Sequence, residues 1–417
     1  MLALIAVTPA TAENWPQWRG PWGTGVAQEK SAPLAWSKEK NVRWRVALPG
    51  PGNSTPIVWN NQVFVTCAAE EGRQRGLYCF DRQTGREQWQ RVVEFTGDEP
   101  THSTNPACSG SPVTDGERVI AWHGSAGLYC YDLAGKELWK KDLGKFEHVW
   151  GVGSSPVLYK DLVILNAGPG LNVAIIALKK ATGEEVWRKE FEGMKSTKLD
   201  EFRGSWSTPV VHREGERDVL LLPLPEKLRA VDPLTGEELW SCGGASKLFY
   251  TSALTSNDVV VVMCGYTGPA FAVRGGGEGD VTQSHRLWLH TVKNPQRVGS
   301  GVVVDGHVYI LNEDGIAWCI DVVSGEVRWK ERLGGGATWC SAVLVAGKIY
   351  FANTAGDTFI IEPNPQECRR LGKNSLGELM RASPAVSNGE LFLRTYAALY
   401  CIHEPTDGEK PAATPEK

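Results

Sequence analysis

Along this chain, apolar residues come in short runs rich in Val, Ile, Tyr and Phe, each closed off by Gly, Asn or Asp. Runs of that kind bounded by turn residues predict strands. The 3.6-residue periodicity of long amphipathic helices is not seen. The runs also repeat. A phrase opening on Ser/Thr-Pro and passing into an apolar strand begins at Thr55-Pro56, Ser111-Pro112, Ser155-Pro156, Thr208-Pro209 and Ser383-Pro384. Copies without the proline begin at Ser252-Ala253, Ser300-Gly301 and Ser341-Ala342, making eight in all. Their spacing, about 40 to 50 residues, is that of propeller blades.

Within each copy a second strand follows (QVFVTC, HVYILN, KIYFAN, ELFLRT), then a third (GLYCFD, GLYCYD), a turn with Gly, and Trp at a fixed distance. The pairs are Gly85 with Trp89, Gly135 with Trp139, Gly183 with Trp187, Gly236 with Trp240, and Gly325 with Trp329. Trp288 closes a fifth copy whose turn is swollen by RGGGEGD at 274–280, and Leu371 is expected at the Trp place of the seventh. The eighth copy stops after its third strand, LYCI (399–402), whereas NVRWRVAL (41–48), with Trp44, is a fourth strand lacking the other three. Pairing the two closes a ring without an open edge. The expected fold is therefore all-β: an eight-bladed β-propeller of four-stranded blades over 41–403, preceded by an extension (13–40) and followed by a disordered tail (404–417). Trp44, Trp89, Trp139, Trp187, Trp240, Trp288 and Trp329 are expected to dock blade on blade, each indole N–H reaching a backbone acceptor.

Composition adds limits. The chain has 417 residues and a formal net charge of −4, with no dense Lys/Arg cluster, which argues against nucleic acid as a partner. Residues 1–12, MLALIAVTPATA, lack a basic start but end in the small-x-small form Ala10-Thr11-Ala12, and read as a signal peptide; a periplasmic or extracellular monomer is expected. No segment reaches the roughly 20 apolar residues of a transmembrane helix. Cys79, Cys130 and Cys401 share the phrase LYC, and Cys319 lies in AWC. Recurrence in register suggests small buried strand residues, and mostly free thiols, rather than disulfides.

The phrases D-x-x-TG-x-x-x-W and G-L-Y-C-x-D, with S-P-V opening blades, resemble the pyrroloquinoline-quinone (PQQ) propeller repeat with its tryptophan-docking motif, over about 40–403. WPQWRGPWGTG (15–25) is similar to the opening of bacterial members without assigned activity. The resemblance implies a propeller fold, and two branches of the family imply different functions. Quinoprotein dehydrogenases are similar to one another in a vicinal disulfide, a Glu/Asn/Asp calcium site and a catalytic Asp; this chain has no Cys-Cys dipeptide and none of those motifs could be placed. The branch of the outer-membrane assembly factor BamB implies a protein-binding scaffold. BamB itself is a lipoprotein, whereas the first cysteine here is Cys67, so no lipobox is present.

Residues just before the Ser/Thr phrase should line the propeller axis. They are Asn53, Ser109, Gly153, Trp206, Tyr250, Val298, Trp339 and Arg381. With Trp150 and Arg297 on adjoining segments, the candidates for a ligand funnel are Asn53, Trp150, Trp206, Tyr250, Arg297, Trp339 and Arg381, suited to a sugar, a quinone or an anionic peptide end. The alternative is that these aromatics plug the axis against water. The ring of Thr55, Ser111, Ser155, Thr208, Ser252, Ser300, Ser341 and Ser383 is too regular for a nucleophile and should bond neighbouring backbone. His102, His123, His148, His285 and His290 show no zinc spacing, and Asn312-Glu313-Asp314-Gly315 reads as an ordinary turn rather than a calcium loop. The expectation is a binding or scaffolding module for a protein or carbohydrate partner with no catalytic residue, no metal and no cofactor. The alternatives are a divergent PQQ- and calcium-dependent oxidoreductase or a carbohydrate-active propeller, and a BamB-like scaffold for outer-membrane protein assembly.

Overall fold

The computed structural model describes residues 13–266, 268–291, 295 and 298–405; the expected leader, Arg297 and the tail beyond 405 lie outside the described residues. The chain forms an all-β, eight-bladed propeller of four-stranded blades. Blade 1 shows the logic. Its second and third strands, Gln62–Ala69 and Gln74–Asp81, are apolar throughout their centres and buried on both faces. Its outer strand, Glu87–Glu94, alternates half-buried Trp89, Arg91 and Val93 with exposed Gln90, Val92 and Glu94, so that only one face is covered, and only in part. The core consequently lies between blades: one cluster joins Ile120, Leu128 and Cys130 of blade 2 to Val163, Leu165 and Ile176 of blade 3.

The recurring cysteines and tryptophans prove to be partners. Each outer-strand Trp sits opposite a small residue of the third strand, followed by a bulge: Cys79 faces Trp89, Cys130 faces Trp139, Cys319 faces Trp329 and Cys401 faces Trp44. Ala177, Ala230 and Ala272 face Trp187, Trp240 and Trp288. A small residue there leaves room for the indole to lean onto the following blade. In that blade the ring covers the turn glycine, for example Trp139 on Gly183, whose φ is +72° and where a Cβ would lie 2.7 Å from the indole. The indole N–H then donates to a carbonyl: Trp44 to Arg82, Trp89 to Leu133, Trp139 to Lys180, Trp187 to Pro233, Trp288 to Val322 and Trp329 to Asn364. None of the ten cysteines forms a disulfide, and nine are buried.

Two expectations need correction. Trp240 does not reach the next blade's backbone; its Nε1 donates to the Glu214 carboxylate of its own blade at 3.1 Å. The swollen 274–280 turn is the reason: instead of offering a tight Gly turn, it folds back so that Gly279–Asp280 pairs in parallel with the Trp240 strand, and Gly276 N–H also donates to Glu214. In blade 7 the Trp register is held by Gly372, opposite Ile360, while Leu371 falls on the bulge and is 48% exposed. The vacated volume is filled from elsewhere, since Trp36 of the N-terminal extension stacks on Tyr350 and its backbone is held by Asn374.

Closure of the ring is as expected. Val42–Ala47 completes blade 8 by antiparallel pairing with Ala398–Ile402. A buried charge cluster locks the seam: Glu390 of blade 8 accepts from Arg82 of blade 1 at 2.7 Å and from Arg43 of the closing strand. Glu390→Ala would strand a buried guanidinium, and should cost about 3–5 kcal/mol. Trp139→Ala should cost about 3–5 kcal/mol through lost packing. Both are measured as losses of unfolding free energy in urea titrations; a loss below about 1 kcal/mol for either would contradict its structural role.

Candidate functional site: an axial funnel

The innermost strands converge on the axis through a ring of side chain to backbone hydrogen bonds. The amide of Thr55 donates to the hydroxyl of Ser111, Ser111 to Ser155, and Ser155 to Thr208, at 2.9–3.0 Å. Ser252 donates to Ser300, Ser300 to Ser341, Ser341 to Ser383, and Ser383 back to Thr55, at 2.9–3.2 Å. Between blades 4 and 5 the bond takes another form, the Ser252 hydroxyl donating to the Thr208 carbonyl at 2.6 Å. The hydroxyls thus bond neighbouring backbone.

Side chains alternate along a strand, so the residue two before each hydroxyl faces the same axis. That rule places Asn53, Ser109, Gly153, Trp206, Tyr250, Val298, Trp339 and Arg381 around one cavity of about 330 Å³. Trp150 also lines it. The structure therefore brings together all the funnel candidates that fall within the described residues; Arg297 lies outside them.

The walls differ. On the side of blades 3 to 5, Trp206 and Tyr250 are set side by side by a short parallel pairing of Gly204–Ser205 with Leu248–Phe249, bringing their rings to 4.9 Å. Gly153 leaves space for Trp206, and Gly265, where a Cβ would lie 2.3 Å from the Tyr250 ring, leaves space for Tyr250. Trp150 packs against both and against Tyr266, its ring inclined by 34–63° to these three. Behind them His148 stands edge-on to Trp206 at 4.9 Å. Burial lowers the His148 pKa; the neutral ring accepts the Trp150 amide at Nδ1 and donates from Nε2 to the Glu201 carbonyl. The Trp206 indole donates to the Gly151 carbonyl.

The opposite wall is polar. Arg381 lies between the rings of Trp339 and Tyr396, at 5.0 and 5.1 Å, and its Nη1 donates to the Tyr396 hydroxyl. Tyr396 donates to Asn53, Asn53 to Asn105, and Asn105 to the Trp150 and Val152 carbonyls. A chain of hydrogen bonds thereby ties the cation of blade 8 to the aromatic wall. Burial raises the Tyr396 pKa, keeping the phenol protonated as a donor.

Sequence reasoning missed the mouth and the floor. His102, Thr104, Asn105 and Tyr266 come from loops that carry no repeat register. The floor is Trp18, delivered by WPQWRGPWGTG. This segment crosses the axis beyond the hydroxyl ring: Trp15 pairs with Val58 of blade 1, Pro16 accepts from Thr114 of blade 2, and Gly25 and Ala27 bond Leu344 of blade 7. Gly20 is required because a Cβ would meet the Trp15 ring at 2.8 Å. Arg19 is fully buried, donates to the Gly301 carbonyl of blade 6, and burial lowers its pKa to about 9. The segment's density of Trp, Arg and Gly was the available signal.

Elsewhere, the Asn312 turn is an Asx turn, with the Asn312 side-chain oxygen accepting the amides of Asp314 and Ile316.

Comparison with known proteins fits this geometry. The family profile described as outer membrane protein assembly factor BamB matches residues 26–107, 74–331 and 277–363. The chain belongs to this PQQ-like propeller family. Among curated proteins, this PQQ-like propeller is 23% identical over 337 residues to a quinoprotein ethanol dehydrogenase of Pseudomonas putida, covering 74% of this chain and 46% of that protein. It therefore spans about half the length of that relative. Among solved structures it is similar to BamB from Moraxella catarrhalis (TM-score 0.61, 13% identity, 87% of this chain and 99% of that one). It is also similar to quinohemoprotein alcohol dehydrogenase from Comamonas testosteroni (TM-score 0.69, 13% identity, 95% of this chain and 82% of that one). At these identities the structures show a shared fold.

The quinoprotein relatives raise PQQ and calcium, and the cavity of this PQQ-like propeller fits them poorly. No Asp or Glu lines it among the described residues, so a calcium ion would meet only neutral oxygens. The quinone's three carboxylates would face one described cation, Arg381, and the mutually inclined rings of the aromatic wall do not form a parallel slot for a flat tricycle.

Proposed function

We propose that the chain is an exported, monomeric, non-catalytic binding module that holds a carbohydrate partner in its axial funnel through Asn53, Trp150, Trp206, Tyr250, Trp339 and Arg381. One observation carries this reading: among its described residues the axial cavity combines an aromatic wall with a single cation and neutral hydrogen-bonding groups, and has no carboxylate to serve as acid, base or metal ligand. Inclined aromatic faces suit the C–H faces of a non-planar sugar, and amides and hydroxyls at the rim suit its oxygens. Export is supported by the small-x-small sequence Ala10-Thr11-Ala12.

The likeness to an ethanol dehydrogenase favours a second reading, a PQQ-dependent oxidoreductase, and the BamB family description favours a protein partner held on the blade surfaces. One experiment separates the three. The purified protein and a Trp206→Ala, Trp339→Ala variant are run on an array of neutral and acidic oligosaccharides, and tested for dye reduction with PQQ, calcium and ethanol. The binding reading predicts retention of at least one oligosaccharide, weakened at least tenfold in the variant, and no PQQ-dependent reduction. Dye reduction requiring PQQ and calcium would establish the oxidoreductase instead. An array without any retained glycan would remove the carbohydrate reading and leave the protein partner.

A further inference from the structure

The charge distribution of the funnel names the class of sugar. Arg381 is the only charged side chain among the described cavity residues. Among the described residues it contacts the Tyr396 hydroxyl and the faces of Trp339 and Tyr396, no carboxylate pairs with it, and its Nε is buried without an acceptor. Arg381 is half-buried, so its guanidinium, flanked by two rings and without a counter-charge, remains open on the cavity side, and such a planar fork is shaped for a carboxylate. Blade 8, which carries Arg381, stands opposite blade 4, which carries Trp206, in a ring of eight. A sugar lying on Trp206 and Tyr250 thus turns its far edge towards the guanidinium.

The lip extends the same surface outward. Phe202 packs edge-on against Trp150 at 4.9 Å and lies 6.2 Å from Tyr266, yet is 60% exposed, and Tyr266 is 43% exposed. Large exposed aromatics contiguous with a pocket mark a surface that a ligand covers. A cavity of about 330 Å³ is at the small end of ligand sites, with room for the end of a chain rather than its length.

We infer that the funnel captures the end of an acidic oligosaccharide, Arg381 gripping a sugar carboxylate while the Trp150–Phe202–Tyr266 lip stacks the units that follow. This rests on the funnel being a carbohydrate site, and the test separates the two claims. Calorimetric titration of the full chain uses trigalacturonate, its neutral methyl ester, monomeric galacturonate and a short peptide with a free C-terminal carboxylate. The wild type should bind trigalacturonate at least tenfold more tightly than the ester, with the advantage shrinking as salt is raised. Arg381→Gln should bring the acid down to the level of the ester, with Arg381→Lys intermediate. Phe202→Ala should reduce the ratio of trimer to monomer affinity severalfold.

Equal binding of acid and ester by the wild type would overturn the acidic class and leave the carbohydrate reading standing. Binding of the peptide in place of both sugars would overturn both claims. If Arg381→Gln does not fold, the wild-type comparison of acid with ester and its salt dependence still decide the matter. No binding of trigalacturonate or its ester would overturn the inference, with the oligosaccharide array deciding separately whether any sugar is held.

Discussion

Every feature of the funnel depends on the inner ring, in which the amide of one blade's inner strand donates to the hydroxyl of the next until Ser383 returns to Thr55, except between blades 4 and 5, where the Ser252 hydroxyl donates to the Thr208 carbonyl. A buried amide must be satisfied, and innermost strands have no further strand to pair with on the axial side. A Ser or Thr in register does this with a short side chain that holds neighbouring strands close. The alternation of side chains then does the rest: with the hydroxyl turned inward, the residue two positions earlier also faces the axis. The regular element thus serves as the scaffold for an irregular one, since Asn, Gly, Trp, Tyr and Arg occupy equivalent places around the mouth.

The outer contacts solve a different problem. A blade cannot bury both faces by itself, and the Trp opposite a Cys or Ala, leaning over the neighbour's Gly, covers what its own blade leaves open. Where the pattern breaks, something else takes its place. Gly372 and Ile360 exchange large for small in blade 7, and Trp36 enters from the extension; Glu214 and the folded-back 279–280 segment enclose Trp240 in blade 4. The N-terminal segment has two structural duties, covering blade 7 with Trp36 and closing the axis with Trp18, so the funnel opens towards the Asn53 and Trp150 side.

What could be read from the sequence was what repeats. The blade count, the seam between the first and last strands, the role of the Ser/Thr ring and the axial positions all follow from register. Register failed in three places for physical reasons. A bulge after the third-strand residue shifts the outer strand by one, which made Leu371 look like the Trp equivalent when Gly372 holds that place. The acceptor of Trp240 depends on how a Gly-rich turn folds, which spacing does not disclose. His102, Asn105 and Tyr266 reach the cavity from loops, and Trp18 from an extension that crosses the axis, so their positions are set by tertiary contacts alone.

A fixed ring beneath a preorganised cavity is the core of this account: the protein does not build its site on binding but presents it. Hydrogen exchange followed by mass spectrometry on the unliganded protein tests this most directly. The inner-ring amides of Thr55, Ser111, Ser155, Ser252, Ser300, Ser341 and Ser383 should be among the slowest to exchange, opening only with global unfolding. Exchange of these amides at the rate of the surface turns would show that the ring opens locally, and would contradict a rigid funnel.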